Sequence, residues 1–208
     1  MVAIVDYGVG NLFSLQSSFA AIGETAVITG DKETLLSADR VILPGVGAFE
    51  DAAKKLKESG LDEVVRQIAN KGTPLMGICL GMQMLFEKSY EFGEWQGLGL
   101  IPGEIRPIAE VIPKEYKIPH IGWNALRFQG EKHPLFKYLT EGEHVYFVHS
   151  FYGVNCKESV IADTEYGAYL TAAVAKGNVM GCQFHPEKSG KAGLSILKAF
   201  TEMGGVNR

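Results

Sequence analysis

Apolar positions in the first half of the chain fall into short runs separated by stretches of helical period. VAIVD (2–6), TAVIT (25–29), RVILPG (40–45) and PLMGI (74–78) are dense in Val, Ile and Leu and too short for helices, which predicts buried strands. Between the first two, NLFSLQSSFAAIG spaces Leu12, Leu15, Phe19 and Ile22 by three or four residues, along one helix face, and Gly23 supplies a stop. FEDAAKKLKES (49–59) and LDEVVRQIANKG (61–72) also read as helices. LGMQMLFEKSY (80–90) is expected to continue as a helix after PLMGI. Strands alternating with helices in this way form βα units around a parallel sheet.

The pattern changes in the second half. EIRPIAEVI, WNALRF, HVYFVHSF, SVIADTEY, TAAVAKGN and VMGCQF are mostly strand-like, with Gly, Asn and Pro between them, and SGKAGLSILKAFTEM closes as a helix. AKGNVMG has the turn chemistry of a hairpin, which makes VMGCQF the strand that delivers His185. The expected fold is α/β in three layers: an open mixed, mainly parallel sheet, helices on both faces and antiparallel additions in the second half. No repeat or low-complexity linker interrupts the chain, so residues 1–208 read as a single domain.

Charge narrows the class of partner. The formal net charge is -4, and the basic residues are scattered rather than striped, which argues against a nucleic-acid backbone or an anionic membrane. Asp6 interrupts the first apolar run and no basic leader precedes it, against a signal peptide; no apolar segment approaches the roughly 20 residues that cross a bilayer. A soluble, cytoplasmic protein is expected. Its three cysteines, Cys79, Cys156 and Cys182, show no CxxC spacing, which supports neither a disulfide framework nor a zinc site; no metal or cofactor is expected.

Gly77-Ile78-Cys79-Leu80-Gly81 has the form of a nucleophile elbow, a sharp strand-to-helix turn whose flanking glycines avoid a Cβ clash. At a helix N-terminus Cys79 gains from the dipole and from free backbone amides. A small buried core residue explains the turn equally well, so a base must decide. His185, in QFHPEKSG, ends a predicted strand, and Glu187 stands two positions on, where extended alternation puts both on one side. Thiol, imidazole and carboxylate together fill the roles of nucleophile, base and orienter. The other histidines read as structural: His120 and His133 adjoin turns, His144 opens a strand and His149 lies within one. Cys156 and Cys182 lack an elbow and read as packing residues.

Two glycine loops follow strands. PGVGAF (44–49) stands where backbone amides of Val46 and Gly47, with that of Leu80, can form an oxyanion hole, although Pro-Gly also marks ordinary turns. YGVGN (7–11) lacks the third glycine of a dinucleotide fingerprint, its place being taken by Phe13; it reads as a tight turn whose surface residues, Asn11 among them, serve a partner or ligand.

GICLGMQ with FHPE resembles the class I (triad) glutamine amidotransferases, whose pattern is G-x-C-x-G-x-Q followed distantly by H-x-E. PGVGAF, PHIGWN (119–124), YFVHSF (146–151) and QFHPEKSG further resemble the glutaminase subunits of imidazole glycerol phosphate synthase, across essentially the whole chain. The resemblance implies a flavodoxin-like amidotransferase fold in which Cys79 attacks the side-chain amide of glutamine, His185 shuttles protons and Glu187 orients it. It also implies that Gln83 holds substrate, that Val46, Gly47 and Leu80 form the oxyanion region, and that Ser150 and Phe151 line the substrate. Family members commonly carry tyrosine at the last position, so here backbone contacts are expected without a hydroxyl.

The implied partner is a (β/α)8-barrel cyclase that receives the ammonia and makes imidazole glycerol phosphate and an aminoimidazole carboxamide ribotide. Asn11, Trp123, Asn124, Tyr146 and Lys188 resemble residues near that interface; apart from the resemblance, Trp123 suits an exposed anchor and a buried aromatic equally. Rival readings are the glutaminase subunit of anthranilate or guanylate synthesis, a cysteine hydrolase, and a binding module in which Cys79 merely packs. The EFGEWQGLG loop of the 90–120 region carries no function in this reading.

Overall fold

A computed structural model describes residues 1–204. The parallel half follows the predicted alternation. Strands β1 (Val2–Val5), β2 (Ala26–Thr29), β3 (Arg40–Leu43) and β4 (Leu75–Ile78) are interleaved with helices α1 (Leu12–Ala21), α2 (Lys32–Ser37), α3 (Phe49–Glu58) and α4 (Leu61–Asn70). The strands pair in parallel, with β1 between β2 and β3, and β4 outside β3. Alternate side chains of β1 separate into two cores. Val2 and Ile4 pack with Leu15 and Phe19 of α1, while Ala3 and Val5 pack with Leu35, Phe49 and Val65 from α2, α3 and α4. Burial on both faces explains the continuous apolar runs. Helix α2 escapes the periodicity because it is too short to repeat it; Asp31 caps it by accepting from the Thr34 amide at 2.8 Å.

The predicted helix through residue 90 is corrected. Helix α5 spans only Leu80–Met84, and Phe86–Ser89 forms strand β5. The carbonyls that would continue the helix are taken by the returning chain: Leu98 N–H donates to Met84 O, Gly99 N–H to Phe86 O, and the Leu100 and Ile101 amides to Leu85 O, all within 3.0 Å. Phe86 is completely buried while Glu87 is exposed, so the side chains now follow the strand period.

The remaining strands are β6 (Trp95–Gln96), β7 (Ile101–Pro107), β8 (His120–Ala125), β9 (Arg127–Phe128), β10 (His144–His149), β11 (Phe151–Val154), β12 (Val160–Glu165), β13 (Tyr169–Lys176) and β14 (Val179–Cys182), with helix α6 (Gly190–Thr201) last. They complete an eight-stranded sheet of order β2-β1-β3-β4-β14-β13-β12-β9, in which β14 is parallel to β4 and the strands beyond it are antiparallel. The hairpin is as predicted: Lys176 pairs with Val179 across Gly177-Asn178, and Gly177 has φ 59°. Helix α6 joins α1 on one face, opposite α2, α3 and α4, giving three layers.

Two segments divide where a single strand was expected. HVYFVHSF breaks at Ser150, β10 pairing with β8 in a two-stranded sheet and β11 joining β7, β5 and β6 in a four-stranded one. WNALRF breaks at buried Leu126 between β8 and β9. EIRPIAEVI leaves its strand at Pro107 and turns into a 3-10 helix over Ile108–Glu110. No helix among the described residues is long and apolar enough to cross a membrane.

Candidate active site

The elbow forms at the carboxyl end of β4. Cys79 adopts φ 53°, ψ −112°, a conformation costing an L-residue about 1–3 kcal/mol, and its amide donates to Cys182 O at 2.7 Å. The flanking glycines are spatial necessities. A Cβ on Gly77 would lie 2.6 Å from Gly81 O, and one on Gly81 would lie 1.9 Å from Leu43 O. Because α5 is barely longer than one turn, its dipole is weaker than the sequence suggested.

The imidazole facing Cys79 is His185, which borders the same cavity. Its Nδ1 stands 2.7 Å from Glu187 Oε1, with both side chains almost wholly buried. The residues face each other through a 3-10 turn over Pro186–Lys188 rather than through strand alternation, since β14 has already ended at Cys182. His185 N–H donates to Tyr146 O at 2.9 Å, and Ser189 braces the turn by donating to His185 O at 2.6 Å and accepting from Tyr146 N–H. Burial pulls the His185 pKa down, but hydrogen bonds and charge from Cys79 and Glu187 outweigh it and raise the pKa to about 9. Glu187 fixes the proton on Nδ1 and leaves Nε2 for the thiol. The other Glu187 oxygen, Oε2, is buried without a hydrogen-bond partner among the described residues.

Cys79 and His185 border a cavity of about 640 Å³, and Cys79 as a whole is only 8% exposed. Val46, Gly47, Leu80, Gln83, Ser150 and Phe151, all expected at the substrate, line the same cavity. The PGVG loop is seated directly on the elbow: a Cβ on Gly45 would fall 2.7 Å from the Gly81 nitrogen, and the Tyr7 hydroxyl donates to Pro44 O at 2.7 Å from beneath. Gln83 Nε2 donates to Phe151 O at 3.2 Å and to Gln183 Oε1 at 3.0 Å. Gln183 in turn has its Nε2 3.8 Å from Cys79 Sγ. The arrangement can deliver a thiolate to a carbonyl carbon, with a proton donor beside the leaving group.

A family model described as glutamine amidotransferase class-I matches residues 3–203. The chain belongs to that family. Proteins named imidazole glycerol phosphate synthase subunit HisH from Bacillus cereus (strain G9842) and Wolinella succinogenes are each 50% identical to this amidotransferase, over 96% and 98% of its length and 93% and 100% of theirs. The Oceanobacillus iheyensis protein of that name is 45% identical over 98% of this chain and 99% of its own. Among solved structures, one described as PurLQS from Thermotoga maritima superimposes with a TM-score of 0.75 at 21% identity, covering 96% of both chains. A structure described as glutamine amidotransferase gives 0.74 at 21%, covering 97% of this chain and all of the other. At such identities these two bear on the fold alone, and they agree with the three-layer architecture.

The predicted partner-facing residues of this amidotransferase are only partly gathered. The Trp123 and Tyr146 rings lie 6.1 Å apart edge to face, and the Lys188 ammonium sits 5.9 Å from the Tyr146 ring centre. Trp123 is 54% exposed, against the buried alternative. Asn124, beside Trp123 in β8, is half-buried and donates to Glu165 O at 2.8 Å. Asn11 stands at the N-cap of α1 and makes no side-chain capping bond. Cys156 and Cys182 are buried, as packing residues should be.

Tyr90, Glu91 and Phe92, unassigned from the sequence, form another wall of the cavity. Glu91 accepts from the Phe49 amide at 2.8 Å at the start of α3; burial raises its pKa, and that bond opposes the rise. Phe92 has φ 53° and meets Phe151 edge to face at 6.0 Å. The available signal was the cluster of acidic and aromatic residues in SYEFGEW, passed over because EFGEW was read as part of a loop without a function.

Proposed function

We propose that this chain is the glutaminase subunit of an imidazole glycerol phosphate synthase, releasing ammonia from glutamine for a (β/α)8-barrel cyclase in histidine biosynthesis. The observation that carries the reading is the buried Cys79–His185–Glu187 set, with Cys79 and His185 bordering a cavity of about 640 Å³ that has room for glutamine. Near-complete alignment with the HisH proteins supports the pathway.

In this reading Cys79 Sγ attacks the carboxamide carbon of glutamine, and the oxyanion is met by amides of Val46, Gly47 and Leu80. His185 gives a proton to the departing ammonia, leaving a thioester between Cys79 and the glutamyl group. The same imidazole then takes a proton from water as the water attacks, and glutamate leaves as Cys79 is restored. Glu91 offers a carboxylate to the substrate ammonium, while Gln83 and the Ser150–Phe151 backbone hold its other end. Trp123, Tyr146 and Lys188 face the cyclase, with Asn11 and Asn124 beside them. A closed interface keeps ammonia from protonation in bulk water, where ammonium is not a nucleophile. A cytoplasmic setting keeps Cys79 reduced.

A pull-down with the barrel cyclase, followed by a coupled glutaminase assay, tests pathway and partner together. Wild type should bind the cyclase and release ammonia from glutamine. Cys79→Ala should bind equally and lose at least about 10³-fold in turnover. Unchanged ammonia release by that variant would sink the assignment.

A further inference from the structure

Two buried histidines outside the triad form a continuous hydrogen-bonded chain that ends in the cavity wall. His120 on β8 lies opposite His149 on β10. His120 Nδ1 is 3.0 Å from His149 Nε2, His149 Nδ1 is 2.8 Å from Phe151 O, and Asn124 Nδ2 is 3.4 Å from His120 Nε2. The His120 ring is held between Tyr166, stacked at 4.0 Å, and Phe147, stacked at 4.9 Å.

The direction of every bond follows from the two ends. A carbonyl oxygen only accepts, so His149 carries its proton on Nδ1 and presents a bare Nε2. His120 must then donate from Nδ1, which leaves its own Nε2 to accept from Asn124. The far end demands the same polarity independently: Asn124 Oδ1 accepts from the Ala125 amide at 2.8 Å, and Nδ2 donates to Glu165 O at 2.8 Å, so the amide nitrogen is the atom facing His120. A second proton on either ring would set N–H against N–H. Burial keeps both rings neutral, lowering the pKa of His120 to about 4 and, with His120 adding to the effect against the Phe151 carbonyl, that of His149 to about 4.

Phe151 O is shared: it also accepts from Gln83, and Gln83, His149, Ser150 and Phe151 all line the cavity. We infer that His120 is a positioning residue for the glutamine subsite, holding His149 and through it the Phe151 carbonyl, the Gln83 amide and the Ser150 peptide in the orientation that receives substrate. The inference rests on the glutaminase reading above. His149 borders the cavity, whereas His120 lies one bond behind it and acts only through it.

The test measures glutaminase kinetics of the full-length chain with its cyclase for wild type, His120→Phe and His120→Asn, together with 15N NMR of histidine-labelled chain. Phenylalanine keeps a ring between Tyr166 and Phe147 but donates nothing; asparagine places an amide donor near the former Nδ1. His120→Phe should raise KM for glutamine roughly tenfold, the scale of one buried hydrogen bond, with kcat within about twofold. His120→Asn should return KM to within about threefold of wild type. In wild type both histidines should show the neutral Nδ1–H tautomer, and His149 should lose that single signature in His120→Phe.

An unchanged KM in His120→Phe, a loss confined to kcat, or an Nε2–H tautomer at either wild-type histidine would overturn the proposal. Should His120→Phe fail to fold, the His120→Asn KM and the wild-type tautomers decide it: a KM raised tenfold or more in that variant counts against it. Absence of any wild-type ammonia release would instead defeat the glutaminase reading, and the tautomers would still decide the hydrogen-bonded chain.

Discussion

His185 shows how one side chain can be buried and still favour its charge. Removal from water disfavours the imidazolium, yet Cys79 and Glu187 over-compensate and bring its pKa to about 9, above the ordinary 6.5. A pKa raised on folding stabilises the native state while the pH is below about 6.5, and that contribution disappears as the pH rises through about 9. Wild type is therefore expected to lose roughly 1–3 kcal/mol of unfolding free energy across this window. Glu187→Gln removes one of the two raising partners, so its loss should be visibly smaller. Urea titrations at a series of pH values measure both slopes, and parallel slopes would mean that Glu187 does not set the charge of His185.

At the scale of elements, the elbow depends on bare backbone where β3, β4 and α5 meet. Gly81→Ala would drive a methyl group into Leu43 O, a backbone atom with no rotamer to yield. The expected cost is about 3 kcal/mol. Chemical denaturation checks it, and a cost under about 1 kcal/mol would show that the elbow relaxes. This motif was legible in the sequence because its determinants are local: two glycines, a thiol and the strand before them. The His185–Glu187 pair was legible for the same reason, although a 3-10 turn does what alternation was expected to do. The β5 strand was not, because amides from Leu98 to Ile101 decide it from a distance. Glu91 was hidden in turn, its bond to Phe49 spanning 42 positions. Nor did HVYFVHSF disclose its break at Ser150, since its apolar alternation runs through a point where the chain changes sheets.

Across the whole molecule, the two larger apolar cores lie on opposite faces of the main sheet, while the reactive groups gather where its parallel strands end. A surface apart from those cores carries exposed Trp123 beside Tyr146 and Lys188. Trp123→Ala is accordingly expected to leave unfolding free energy within about 0.5 kcal/mol of wild type. The same change should weaken cyclase binding by about 2 kcal/mol, near thirtyfold in Kd. Calorimetric titration against thermal melts separates the two effects, and a large loss of stability with unchanged affinity would assign Trp123 to the fold.

The glycines beside the thiol also differ in handedness. Gly45, Gly77 and Gly81 have no positive φ, and each is excluded from carrying a side chain by a neighbouring backbone atom. Gly47 has φ 94°, and nothing lies within 4 Å of where an L-residue's Cβ would stand. In a chemically synthesised chain, D-alanine at residue 47 would match the sign of this φ, whereas L-alanine would be strained by it. The loop over the nucleophile can therefore be stiffened by mirror-image chemistry at one of these glycines, on a framework whose other glycines are fixed by lack of space.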